Sequence, residues 1–295
     1  MSRGHRLLET ARRAEALGFH SLSLADHFGD QVTPLVALAA AAAVTTRLRL
    51  APLVCCNDFR HPVVLAKEAA TLDVLSQGRF QLGMGAGWME SDYSSSGLPM
   101  DSAGIRIARL HESIQVVRGL LQPGAFSFEG EYYQVRQLDG RPKPFQQPVP
   151  LYIGGGGPKM LKLAAQEADI VGINVDLRSN VMCDIDFSAE ACDRKVEWVR
   201  QSAAERWLSL DLSMLVHATR VTDDEEGAFR EIALQMETTP EVVRLSPSVL
   251  VGSHQQMVEI LLQRRQRWGL NEWIVREEQM ESFAPVVATF PVTGR

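Results

Sequence analysis

Four short segments of the 295-residue chain gather side chains and glycines of the types that do chemistry. The first is Asp26-His27, which follows the alternating run Ser21-Leu22-Ser23-Leu24-Ala25. An imidazole titrates near ~6.5 when unperturbed, so a histidine at a strand end can give or take a proton at neutral pH. The same pair also reads as a hydrogen-bonded polar stop on a strand. The second segment, Leu53-Val54-Cys55-Cys56-Asn57-Asp58-Phe59-Arg60-His61-Pro62, turns an apolar strand into a polar loop. Asp58 and His61 within it have no H-x-H or H-E-x-x-H partner nearby, so no metal site is expected. The third, Gly83-Met84-Gly85-Ala86-Gly87-Trp88, is spaced like a dinucleotide loop but does not run G-x-G-x-x-G into a helix. Close approach of backbone to a flat ring suits these glycines better. The fourth, Gly154-Gly155-Gly156-Gly157-Pro158-Lys159, sits between a strand and a helix. Its uncovered amides at a helix N-terminus suit a phosphate or other anion.

The elements that must carry these segments alternate along the chain. Strands are expected around Ser21, Leu48, Phe80, Leu151, Ile170, Leu210 and Glu272, seven in all. Between them lie helices at Leu7–Leu17, from Pro34, at Val63–Leu75, through the stripe Ile107, Leu110, Ile114, Val117 and Leu121, and from Pro158. Further helices are expected at Glu190–Trp207, Asp223–Met236 and Ser253–Trp268, with a short apolar piece at Val249–Val251. From Trp88 to Pro150 the alternation pauses, with a serine-rich connection, a hairpin-like stretch at Phe126–Val135 and a proline-rich run at Arg141–Pro150. Such alternation requires parallel strands with right-handed crossovers, in an open sheet or a closed barrel. Ligands in either architecture bind at the carboxyl ends of strands, where all four segments fall.

Composition narrows the function further. The chain is 45% hydrophobic and 22% charged, an ordinary globular profile. Its 30 Lys and Arg against 36 Asp and Glu give a net charge of −6, the wrong sign for nucleic acid or acidic lipid. The longest apolar run, Leu35–Val44, falls well short of the roughly 20 residues of a membrane span, and the charged, helix-periodic start does not read as a signal peptide. Cys55, Cys56, Cys183 and Cys192 show no C-x-x-C spacing, so neither a disulfide framework nor zinc is expected and a cytoplasmic location fits.

Three stretches carry a family resemblance: Asp26-His27 at a strand end, RLRLAPLVCCNDFRHPVVLAKEAATLDVLSQGRFQLGMGAGW, and PLYIGGGGPKMLKLAAQEADIVGIN. Together they resemble the luciferase-like monooxygenase superfamily, and within it the coenzyme F420-dependent oxidoreductases, from about Leu7 to the end of the chain. The resemblance implies one (β/α)8 TIM-type barrel domain over residues 1–295, with an insertion at about 88–150 after the fourth-strand position. The family's usual first strand has no counterpart here. A homodimer acting on a small molecule is implied, with F420, or alternatively FMN, across the strand ends. His27 is implied as the catalytic proton-transfer residue, with Asp26 beside the ring and Leu53-Val54 as a non-prolyl cis peptide bulging behind it. Asn57 belongs to the same implied cofactor set. Gly85 and Gly87 would lie under the ring, while Gly154, Gly155, Gly156 and Gly157 would receive the ribityl and phosphate end with help from Asn174. Some F420 relatives place Glu where this chain has Trp88, which argues against sugar-phosphate oxidation through that acid. The implied activity is hydride transfer between reduced F420 and a small C=C or C=N substrate, such as a precursor in antibiotic biosynthesis. An FMN-dependent monooxygenase served by a separate reductase and a non-catalytic flavin-binding protein are the alternatives, and a metal-dependent hydrolase comes last.

Overall fold

A computed structural model describes residues 3–176 and 184–290. Cys183 lies outside the described residues. The chain divides into two compact units, one comprising residues 1–15 and 20–154, the other residues 16–19 and 155–295.

In the first unit, α1 (Arg3–Ala16) leads to β1 (Ser21–Leu24), α2 (Pro34–Ala42), β2 (Arg49–Pro52) and β3 (Cys55–Cys56). Then come α3 (Pro62–Leu75), β4 (Leu82–Gly85), α4 (Glu90–Ser96), α5 (Ala103–Leu121), β5 (Phe126–Glu129), β6 (Gln134–Leu138) and β7 (Leu151–Gly155). Pro34 and Pro62 open their helices because the first turn has no use for the missing N–H. β1 runs parallel to β2 with Leu22 opposite Leu50, β3 to β4 with Cys55 opposite Met84, and β4 to β7 with Leu82 opposite Leu151. Every residue of β4 is buried, as a parallel strand covered on both faces requires. Leu38, Leu50, Leu65, Phe80, Met84, Leu110 and Ile114 fill this core, each fully buried side chain stabilising by roughly 2 kcal/mol. The proline-rich return is anchored by Asp73, whose carboxylate accepts from Gln146 N at 2.8 Å and Gln146 Nε2 at 2.6 Å.

Two expectations need correction here. The apolar strand around Leu48 does not run unbroken into the polar loop but stops at Pro52; the Leu53–Val54 peptide is cis, as the resemblance implies, and the separate strand β3 begins after it. The serine-rich connection contains α4, a two-turn helix that ends at Gly97 with φ +76°. Its sequence ESDYSSS has no apolar stripe for a pattern search to find. The hairpin, by contrast, is where it was expected, with β5 and β6 antiparallel.

In the second unit, α6 (Pro158–Glu167), β8 (Ile170–Ile173), α7 (Ala189–Ala203), β9 (Asp211–Leu215) and β10 (Ala218–Val221) precede α8 (Glu225–Gln235) and α9 (Pro240–Leu245). β11 (Val249–Gly252), α10 (His254–Trp268), β12 (Leu270–Ile274) and α11 (Met280–Val287) complete it. β9 lies between β8 and β12, parallel to both, and β10 pairs with β11, also in parallel. The apolar piece at 249–251 is thus a strand, and with β10 it takes the count beyond the seven expected. The helix expected to reach Trp207 breaks after Ala203, where Ala204 sits at φ +49°. α10 starts from a full capping box, Ser253 with Gln256, and stops at Gly269 with φ +74°. Apart from the β5–β6 hairpin, the registered strand pairs are parallel, the α/β alternation read from the sequence. Among the described residues no helix is long and apolar enough to cross a membrane.

Candidate active site

At the carboxyl end of β1, His27 meets a partner that the sequence did not suggest. Its Nδ1 lies 2.6 Å from Oδ2 of Asp92 on α4, and the other oxygen of that carboxylate accepts from the Phe28 amide at 3.1 Å. Asp92 is buried, whereas the His27 side chain keeps 19% of its surface. Nδ1 thus faces this carboxylate, and Nε2 is the ring's other nitrogen. Among the described residues no hydrogen bond engages Nε2. The indole of Trp88 stands edge-on to the imidazole, with centroids 5.9 Å apart.

Around this pair the remaining charges are closed on one another. Asp26 is buried, and both its oxygens are taken by Arg60 at 2.7 and 3.1 Å, with a further bond from the Cys56 amide at 3.0 Å. Asp58 accepts twice from Arg109 at 2.9 Å and once from the Tyr93 hydroxyl at 2.9 Å, and Arg109 also reaches Asp101 at 2.8 Å. Burial pushes the Cys56 thiol up to about 11 and raises the Cys55 thiol and the Tyr93 phenol as well. None of the three ionises at neutral pH, which removes the two cysteines as nucleophiles. Asn57 is buried, its Nδ2 donating to the Tyr133 hydroxyl at 3.2 Å while its Oδ1 has no partner among the described residues. A buried acceptor without a donor is costly unless something else supplies one.

The glycines at the ends of β4 have a cause within the protein. A Cβ on Gly85 would meet Cγ2 of Val54 at 2.4 Å, and one on Gly87, at φ +78°, would meet the Tyr93 hydroxyl at 2.0 Å and Cys56 Sγ at 2.9 Å. Val54 and Tyr93 therefore leave no room for a side chain at these positions. Leu53, at the cis bond, precedes this contact directly.

In the second unit, the glycine turn leads into α6 with Gly157 as an N-cap that offers no side-chain bond. Gly154, the last residue of the first unit, continues β7 into it. A Cβ on Gly155 would strike Met160 Cγ at 2.5 Å, and one on Gly156 the Val175 carbonyl at 2.1 Å. Asn174 donates its amide to the Gly155 carbonyl at 3.0 Å, and its Oδ1 accepts from the Val175 amide at 2.9 Å. Its carbonyl accepts from the buried Lys195 at 2.8 Å, whose ammonium also pairs with Asp186 at 2.6 Å. These groups line a small cavity together with Met214 and His217. Burial, with Arg276 adding to it, holds the His217 imidazole down to about 4, so it is neutral at pH 7.

Asp92, Arg60, Arg109 and Lys195 are partners of the candidate residues that the sequence reading did not single out. Arg60, Arg109 and Asp92 lie 34, 51 and 65 residues from the carboxylate or ring they bind, whereas Lys195 is only 9 residues from Asp186. Among the described residues no group of three or more His, Cys, Asp or Glu side chains is placed to hold a metal ion.

The chain is 34% identical over 204 residues to an F420-dependent glucose-6-phosphate dehydrogenase of Amycolatopsis mediterranei, which covers 65% of this chain. It spans 61% of that relative's length. Among solved structures it matches an F420-dependent secondary alcohol dehydrogenase with a TM-score of 0.77 and 19% identity, over 100% of this chain and 96% of the other. A monooxygenase from Streptomyces bottropensis matches with a TM-score of 0.77 and 22% identity, over 98% and 91% of the two chains. At those identities the structural matches establish the fold alone. The sequence profile of the luciferase-like monooxygenases matches residues 2–236, from α1 to the end of α8 and through both strand-end sites; the chain belongs to the luciferase-like monooxygenase family.

Proposed function

We propose that this protein is an F420-dependent oxidoreductase that moves a hydride between the deazaflavin and a small unsaturated substrate, with His27 exchanging the accompanying proton. The observation that carries the reading is the His27–Asp92 pair. It leaves one imidazole nitrogen available at a strand end where the neighbouring carboxylates are already closed by arginines. Names borne by relatives support the cofactor, since the Amycolatopsis protein and the alcohol dehydrogenase are both F420-dependent.

The first unit fits such a ring on its own evidence. Oδ1 of Asn57 is a buried acceptor lacking a donor, and the pyrimidine edge of a deazaflavin carries an N–H. When bound, the deazaflavin supplies or takes a hydride at one carbon. Asn57 and His27 are the side chains proposed to face it, and Asp26, locked to Arg60, positions His27 from behind. The uncapped amides of α6 after Gly157 suit a phosphate, the role proposed for the glycine turn. Asn174, with its side chain committed to Val175, acts there through its backbone.

Substrate class follows from the walls. Trp88 is 41% exposed and Phe28 52% exposed, so the space beside His27 is bordered by aromatic surface. That surface suits an apolar substrate with an activated C=C or C=N bond better than a sugar phosphate, despite the name of the Amycolatopsis relative. A homodimer and a role in tailoring secondary metabolites complete the proposal.

The test is an anoxic assay of the purified protein with reduced F420 and a panel of activated alkenes and imines. Acceptor-dependent return of oxidised F420 supports the reading. No turnover with F420, together with oxygen consumption when FMN and a flavin reductase are added, replaces it with the monooxygenase reading.

A further inference from the structure

We infer that Asp92 is a positioning residue that holds His27 as the Nδ1–H tautomer and thereby makes Nε2 the atom through which the proton passes. The tautomer rests on the geometry with Asp92 as a carboxylate, and only its use in turnover rests on the function proposed above. Asp92 reaches two groups at once, the His27 ring at 2.6 Å and the Phe28 amide at 3.1 Å. A backbone N–H can only donate, so one oxygen must accept there. The other oxygen of an ionised carboxylate also only accepts, and Nδ1 must therefore carry its hydrogen. The other charged groups at this strand end do not compete, because Asp26 is closed by Arg60 and Asp58 by Arg109 and Tyr93. Trp88, the ring facing His27, carries no charge.

In the reducing direction the Nε2–H bond of the imidazolium breaks and the proton goes to one end of the substrate double bond. The hydride and its two electrons, from reduced deazaflavin, go to the other end. The imidazole is left neutral with hydrogen on Nδ1, still bonded to Asp92. The oxidising direction runs this in reverse, with Nε2 as the base.

An isosteric amide cannot do the same work. In Asp92→Asn the single oxygen is claimed by the Phe28 amide, which turns the NH2 group towards Nδ1 and obliges Nδ1 to accept. The hydrogen then moves to Nε2. The experiment is nitrogen NMR of the full chain labelled with 15N-histidine, at the alkaline end of a titration, with His27→Gln to assign the signal. Wild type is expected to show a protonated, pyrrole-like Nδ1 and a pyridine-like Nε2, and Asp92→Asn the inverse. Asp92→Glu, which keeps two acceptors, is expected to retain the wild-type pattern and guards against a folding artefact. A pyridine-like Nδ1 in wild type, or an unchanged pattern in Asp92→Asn, overturns the assignment. In turnover, Asp92→Asn is expected to lower kcat by roughly 10²–10⁴, as a wrong tautomer does in a carboxylate–histidine pair, with the Kd for F420 unchanged. Inversion of the tautomer with kcat unchanged overturns the catalytic use of Nε2 while leaving the tautomer assignment standing. Absence of turnover in wild type with every acceptor counts against the proposed function instead.

Discussion

The two strand-end sites use the same materials to opposite ends. In the first unit, Asp26 and Asp58 are spent on arginines and Asp92 on the Phe28 amide and the His27 ring, which leaves Nε2 of His27 with no hydrogen bond among the described residues. In the second, the half-buried histidine is neutral, and the buried Lys195 is bound to Asp186 and to the Asn174 carbonyl. Under the proposed function the first site exchanges a proton, while the second holds a loop and presents backbone. The lesson is that charge density at a strand end says little about catalysis until each charge has been matched to its partner.

That contrast can be broken by substitution. The largest effect is expected at His27: His27→Ala should lower turnover by roughly 10²–10⁴, with cofactor affinity changing by less than about tenfold in a parallel titration. Equal loss of both would place His27 in binding and erase the distinction. In the second unit the effect should fall on stability. Lys195→Met leaves Asp186 without its cation and is expected to cost about 3–5 kcal/mol in urea unfolding.

A pH experiment sharpens the contrast between the two histidines. The folded protein keeps His217 neutral down to about 4, whereas in the unfolded chain it protonates near 6.5. Between those values the unfolded state binds more protons, so stability should fall as pH drops through this window, by up to about 3 kcal/mol. His217→Phe should flatten that limb of the stability curve. The smallest effect concerns the glycines of the first unit. Gly85→Ala would push its methyl into Val54 and is expected to cost about 1–3 kcal/mol, partly recovered in combination with Val54→Ala. Gly29→Ala, with open space around it, should be close to neutral in the same denaturation experiment.

Much of the architecture was legible because it is periodic. Helices such as α3 and α5 and strands such as β4 and β8 declare themselves through apolar spacing, and Pro34, Pro62, Gly78 and Gly269 mark the ends of elements. The site was legible only in its near-neighbour parts. His27 follows a readable strand, but Asp92 sits on a serine-rich helix with no apolar stripe and meets His27 across 65 residues, a pairing that no local pattern encodes. A carboxylate two residues before the serine run and one before Tyr93 was the only available hint. The glycines at the end of β4 were read as places where a flat ring approaches the backbone. Within the protein, Val54 and Tyr93 stand where a Cβ on Gly85 or Gly87 would go, packing that spacing does not report.

The most direct measurement for the account as a whole is a binding titration of the full chain with F420 and, separately, with FMN. The account predicts saturable F420 binding, with FMN weaker by at least about tenfold, a difference of ~1.4 kcal/mol. Retention of FMN with no measurable binding of F420 would contradict it.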